Sequence, residues 1–188
     1  APMYRIVIAD DEPLIRVDLR EMLEDIGHRV VGEAGDGKEA YALIDQMKPD
    51  IVMLDIKMPG MDGIELAKKV ARRYPVIIVT AFCEKGLIEQ ARDAGVMAYI
   101  TKPFLDRVLS PAIELAVSHF LEKSSLTEKV YHLKEQLETR KVIDRAKGLL
   151  IEHEKLTEAQ AYRKMQTISM DKNKPLKDVA EAIILMLG

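Results

Sequence analysis

Three short runs, Ile6–Ala9 within the strand Arg5–Ala9 (RIVIA), Ile51–Leu54 (IVML) and Val76–Val79 (VIIV), are apolar without any polar alternation. A strand with apolar side chains on both of its faces needs cover on both, which points to a parallel sheet wrapped by helices. Val30-Val31 and Ala98–Thr101 mark two further strands. Between the strands the period changes to that of helices. Ile15, Leu19, Met22, Leu23 and Ile26 share one face ahead of Gly27, and Ala40, Leu43, Ile44 and Met47 share another ahead of Pro49. Ile64, Ala67, Val70 and Ala71 run up to Tyr74-Pro75, and Leu87, Ile88, Ala91 and Ala94 up to Gly95. A further helix is predicted from about Leu105. The alternation predicts an α/β domain, a doubly wound five-stranded parallel sheet.

In such sheets the ligand crevice lies outside the carboxyl ends of the strands. The residues delivered there are Asp10 and Asp11 from the first strand, Asp55 from the third, Thr80 from the fourth and Lys102 from the fifth. Crowded carboxylates repel one another unless a cation joins them. Mg²⁺ suits a few carboxylates and a carbonyl, because it prefers oxygen ligands and keeps several waters. A hydroxyl and an ammonium across from them complete a site for a phosphoryl group. Packing a sheet requires none of these five residues at strand ends.

The acidic pair Asp10-Asp11, Asp55 followed by Met58-Pro59-Gly60, Thr80-Ala81 and Lys102-Pro103 resemble the receiver domains of bacterial two-component response regulators, over residues 4 to about 120. The resemblance implies a flavodoxin-like receiver in which Asp55 accepts a phosphoryl group from the phosphohistidine of a sensor histidine kinase. It implies that Asp11, Asp55 and the backbone carbonyl of Lys57 ligate Mg²⁺, with Asp10 reaching the ion directly or through water. Thr80 and Lys102 would hold the phosphoryl oxygens, and Tyr99 matches the aromatic residue that turns inward when the domain switches. Such a receiver is a phosphoacceptor signalling protein that assists its own Mg²⁺-dependent phosphorylation and dephosphorylation.

Beyond the receiver, Leu126, Val130, Leu133 and Leu137 are spaced four, three and four apart, a short heptad seam flanked by charged residues. It predicts a coiled-coil connector over 123–139 that pairs two copies of the chain when phosphorylated. Val142, Ala146, Leu149 and Leu150 then shift the apolar face. Gly148 within a helix costs about 1 kcal/mol relative to Ala, which points to a close approach to its backbone. Thr157-Glu158-Ala159-Gln160 reads as a capping box that opens a helix with Ala161, Tyr162, Met165 and Ile168 inside. Pro175 opens a last helix, whose stripe is Leu176, Val179, Ala180, Ile183 and Leu187. These segments predict a small three-helix bundle over 140–188, behind a receiver over 1–122.

The string Arg140–Leu150, with Ala146-Lys147-Gly148, and the later Ala159, Tyr162, Arg163 and Ser169-Met170-Asp171 resemble the ANTAR module. That family comprises RNA-binding output domains of transcription antitermination regulators. The resemblance implies that the bundle binds hairpins of a nascent transcript, and it makes Arg140, Lys141, Arg145, Lys147, Gly148 and Arg163 the candidate contacts. Charge runs the same way. Residues 1–125 carry 16 Lys and Arg against 21 Asp and Glu, whereas 126–188 carry 12 against 10. Two other outputs compete with this one. A DNA-binding factor would need a helix-turn-helix pair with a basic recognition helix, and none is found. An aspartyl-phosphate phosphatase would need a second acid two residues after Asp55, where Lys57 stands. The single cysteine, Cys83, and the lack of any run long enough to span a bilayer place the expected protein in the cytoplasm, away from membranes.

Overall fold

The computed structural model describes residues 2–188; Ala1, the first residue of the expected receiver segment, lies outside them. Five strands alternate with helices: β1 (Arg5–Ala9), α1 (Pro13–Asp25), β2 (Arg29–Ala34), α2 (Gly37–Met47), β3 (Ile51–Leu54), α3 (Gly63–Val70), β4 (Val76–Thr80), α4 (Lys85–Asp93) and β5 (Ala98–Thr101). A short 3-10 turn, Asp106–Val108, leads into α5 (Leu109–Glu154), followed by α6 (Glu158–Lys172) and α7 (Leu176–Leu187). The strands form one parallel sheet in the order β2-β1-β3-β4-β5. The predicted doubly wound sheet is therefore present.

Successive side chains of a strand point to opposite faces, and both faces are apolar here. Ile6, Ile8, Ile51, Met53, Ile77 and Val79 pack with Leu19 and Leu23 of α1 and Leu109, Ile113 and Ala116 of α5. Val7, Ala9, Val52, Leu54 and Ile78 pack on the other face with Ile44 of α2, Leu66 and Val70 of α3 and Ala91 of α4. Asp36 and Asp62 cap α2 and α3, each accepting a hydrogen bond from the backbone N–H three residues on. Ile88, predicted on the same face of α4, is instead exposed, while Leu87, Ala91 and the capping Ala94 pack on the core.

The expected helix start near Leu105 moves to Leu109, and Ser110-Pro111 does not interrupt α5. Pro111 stands in the first turn, where backbone N–H groups have no partner inside the helix and none is lost. Ser124-Ser125 and Gly148 are likewise absorbed into one continuous helix of 46 residues. The chain divides into two compact units, the first ending at Ser124 and the second beginning at Ser125. In the second, Ala146 and Leu150 of α5, Ala161 and Met165 of α6, and Val179, Ala180 and Ile183 of α7 make a small core. The capping box at Thr157 and Gln160 is formed in both directions. Tyr162, expected inside this core, lies outside it and is 38% exposed. Leu126, Val130, Leu133 and Leu137 are all exposed in the single chain.

Leu23 of α1 has no exposed surface, whereas Leu14 of the same helix is 78% exposed. Leu23→Ala should cost about 2–5 kcal/mol through lost burial and the cavity left behind, and Leu14→Ala no more than about 0.5 kcal/mol. Chemical denaturation of the two variants checks the contrast.

Candidate functional site

Sheet register brings the strand ends together. Ala9 pairs with Leu54, and the Asp55 N–H donates to the Ala9 carbonyl at 2.9 Å, so Asp10 and Asp55 leave neighbouring strands side by side. Thr80 pairs with Thr101, and the Lys102 N–H donates to the Thr80 carbonyl at 2.8 Å. The Lys102 ammonium reaches across the sheet end to Asp10 Oδ2 at 2.6 Å and Asp55 Oδ2 at 3.1 Å. The other oxygens are held locally: Asp10 Oδ1 accepts from the Glu12 N–H at 2.9 Å and Asp55 Oδ1 from the Ile56 N–H at 2.7 Å.

Asp10 and Asp55 are buried and Asp11 is exposed, and oxygens from the three carboxylates lie within 4.8 Å of one another. Burial holds the Asp10 carboxyl above the ordinary aspartate range, against the hydrogen bonds from Lys102 and the Glu12 N–H that work to lower it. Burial also works to lower the Lys102 pKa, but the hydrogen bond to Asp10 and the charges of both aspartates outweigh it, so the ammonium is held above its usual range. One ammonium thus faces two buried carboxylates with a third at the rim. This is a hard, oxygen-rich, anionic donor set, and it fits a small divalent cation such as Mg²⁺.

Thr80 is wholly buried, and its hydroxyl accepts from the Phe82 N–H at 3.4 Å. The Tyr99 hydroxyl donates to the Phe82 carbonyl, which ties β5 to the segment after β4. Burial, with the negative charges of Asp55 and Glu84 nearby, raises the Tyr99 pKa. Lys57 contributes an unanticipated contact, its ammonium lying 3.8 Å from the centroid of the Phe82 ring. Arg16 was missed as well: its guanidinium donates to the Asp10 carbonyl at 2.6 Å and fixes the turn that carries the acidic pair. Its position six residues after Asp10 was the available signal, though a helix-surface arginine has many other uses.

In the second unit Gly148 is open, and a Cβ there would meet nothing within 4 Å, so among the described residues none makes the close approach to its backbone. Arg140, Lys141, Arg145 and Arg163 are exposed, with Lys141 paired to Glu138 at 3.3 Å. Lys147 is half-buried and held by carboxylates. Among the described residues no helix is long and apolar enough to cross a membrane.

The family model of the response regulator receiver domain matches residues 6–114, and that of the ANTAR domain matches residues 131–184. The chain belongs to the response regulators. It is 50% identical over 186 residues to the transcriptional regulatory protein PdtaR of Mycobacterium tuberculosis, covering 98% of this chain and 91% of that one. Among solved structures it is similar to the signal receiver domain of the response regulator NarL from M. tuberculosis, with 31% identity and TM-score 0.55 over 66% of this chain and 98% of that one. The CheX–CheY–BeF3–Mg²⁺ complex from Borrelia burgdorferi matches with 26% identity and TM-score 0.57, over 58% of this chain and 86% of that one. Receiver and ANTAR domains in one chain make it a phosphorylation-activated, RNA-binding regulator of the antiterminator type.

Gly63 seats this site. A Cβ on it would lie 2.0 Å from the Asp55 carbonyl oxygen, and its N–H donates to the Ile56 carbonyl at 2.7 Å. Gly63→Ala should therefore push α3 off the Asp55 turn, cost about 1–3 kcal/mol or more as an overpacked backbone contact, and impair phosphoryl acceptance. A thermal melt combined with intact-mass measurement after treatment with a small phosphodonor checks both effects.

Proposed function

We propose that Asp55 is the phosphoacceptor and that its phosphorylation turns on binding of RNA hairpins by the 140–188 bundle, so that a terminator fails to form in the nascent transcript. The observation that carries this reading is the Lys102 ammonium lying within 3.1 Å of both Asp10 and Asp55 at the carboxyl end of the sheet. Asp10, Asp11, Asp55 and the backbone carbonyl of Lys57 would hold Mg²⁺, which when bound supplies positive charge to neutralise carboxylates and phosphoryl oxygens alike. A carboxylate oxygen of Asp55 attacks the phosphorus of a sensor kinase phosphohistidine, and the bond from phosphorus to the imidazole nitrogen breaks. The chain's part is positional and electrostatic. Lys102 exchanges its Asp55 contact for a phosphoryl oxygen, and the Thr80 hydroxyl leaves the Phe82 N–H for another. Tyr99, hydrogen-bonded to the same segment through Phe82, carries the change to β5. The CheY complex whose fold this receiver resembles was solved with BeF3 and Mg²⁺, which supports the same chemistry here.

The receiver, connector and bundle then correspond to 1–122, 123–139 and 140–188. The exposed seam of Leu126, Val130, Leu133 and Leu137 supports pairing of two phosphorylated copies, each presenting one bundle to one of two hairpins. Arg140, Lys141, Arg145, Lys147 and Arg163 supply charge to phosphates, and the open backbone at Gly148 admits a group that any side chain would keep away. Sensor kinase and RNA are then the partners, in the cytoplasm where both are found.

Intact-mass analysis should show one phosphoryl group, labile at alkaline pH, on the wild type treated with a small phosphodonor and Mg²⁺. Asp55→Asn should remain unlabelled and should bind two-hairpin RNA no better with phosphodonor than without. Equal labelling of the variant would move the acceptor elsewhere, and equal competition by duplex DNA would favour a DNA-binding output. Separately, Leu133→Asp places a charge in the seam and should leave the phosphorylated chain monomeric in sedimentation, while its labelling is unchanged.

A further inference from the structure

Lys147, a candidate cation for RNA, is already occupied in the structure. Its ammonium donates to the Glu158 carboxylate at 3.2 Å and lies 3.3 Å from Asp144 and 5.7 Å from the centre of the Tyr162 ring. The lysine side chain is only 17% exposed, while both acids are largely exposed. With Thr157 and Ala159, Lys147, Glu158 and Tyr162 line a shallow cleft of about 590 Å³. Asp144 stands one turn before Lys147 on α5, as any helical neighbour would. Glu158 comes from the next helix, eleven residues on, where the capping box fixes the first turn of α6. Tertiary structure, not helical spacing, makes this second pairing.

Two carboxylates on one ammonium are the wrong surroundings for a bare anion, which would gain one positive charge and meet two negative ones. A ligand that engages Lys147 has to displace Glu158 and needs more than charge to do so. A nucleotide with an unpaired base has it: the base stacks on the exposed Tyr162 ring while the adjacent phosphate takes the ammonium. Bases in a duplex are unavailable for that stacking. We propose that Glu158, backed by Asp144, is a specificity-determining residue of the RNA-binding face. It holds Lys147 over Tyr162 and yields the cation only to a phosphate that arrives with a stacked base. Displacing Glu158 costs its ion pair with Lys147, a loss that a base stacked on Tyr162 offsets and that a sparse or fully paired polyanion has nothing to offset. This inference rests on the RNA-binding reading above.

The test uses the full chain, phosphorylated, and an RNA enriched by that protein from a randomised two-hairpin library. Glu158→Gln should raise affinity for duplex DNA of equal length about three- to tenfold while changing affinity for the selected RNA less, so that the RNA-to-DNA ratio falls. Glu181→Gln, an exposed carboxylate of α7, should leave that ratio unchanged. In a Lys147→Met background Glu158→Gln should have no further effect, because the cation it guards is gone. Tyr162→Leu should weaken the selected RNA and leave duplex DNA alone. A gain from Glu158→Gln that persists without Lys147, or a ratio that Glu158→Gln leaves unmoved while the RNA still binds, would overturn the role of Glu158 and keep the RNA reading. Failure to enrich any RNA would overturn both.

Discussion

The first unit is arranged around the attraction between one ammonium and two buried carboxylates, Lys102 with Asp10 and Asp55. Each group arrives from a different strand, so the contact exists only when β1, β3 and β5 take their places in the sheet. Burial strengthens it, because charges removed from water interact in a weaker screening medium. The same burial leaves it incomplete, since one positive charge does not balance two carboxylates with Asp11 at the rim. The site is thereby suited to a divalent cation, which would supply the missing positive charge.

Much of this was legible in the sequence, for a simple reason. In a parallel sheet a strand end is a place in space as well as in the chain, so Asp10, Asp55, Thr80 and Lys102 could be assembled without coordinates. Other features follow from packing that no spacing encodes. Gly63 looks like any turn glycine until the Asp55 carbonyl is found 2.0 Å from where its side chain would begin. Tyr162 fits an apolar stripe by count, but Ala161 and Met165, one turn apart, define the buried line and leave the tyrosine one step around the helix. The Lys57 contact with Phe82 depends on two loops meeting, and the sequence holds them 25 residues apart.

In the second unit the distinction between cation and available cation matters most. The resemblance marked Lys147 as a candidate contact, and its neighbour Asp144 was visible three positions before it. Glu158 was not, because the turn between α5 and α6 decides which side chain of the new helix faces back. A basic residue on a nucleic-acid face can therefore serve discrimination as much as attraction, depending on what already holds it.

Asp10 and Asp55 also bear on how stable this fold can be. One ammonium shared between two carboxylates leaves net negative charge buried at the sheet end, which makes the folded chain less stable than a charge-balanced site would. An amide at position 55 would remove that excess, so a chain that has lost its signal should outlast one that carries it. Robustness and responsiveness draw on the same few atoms.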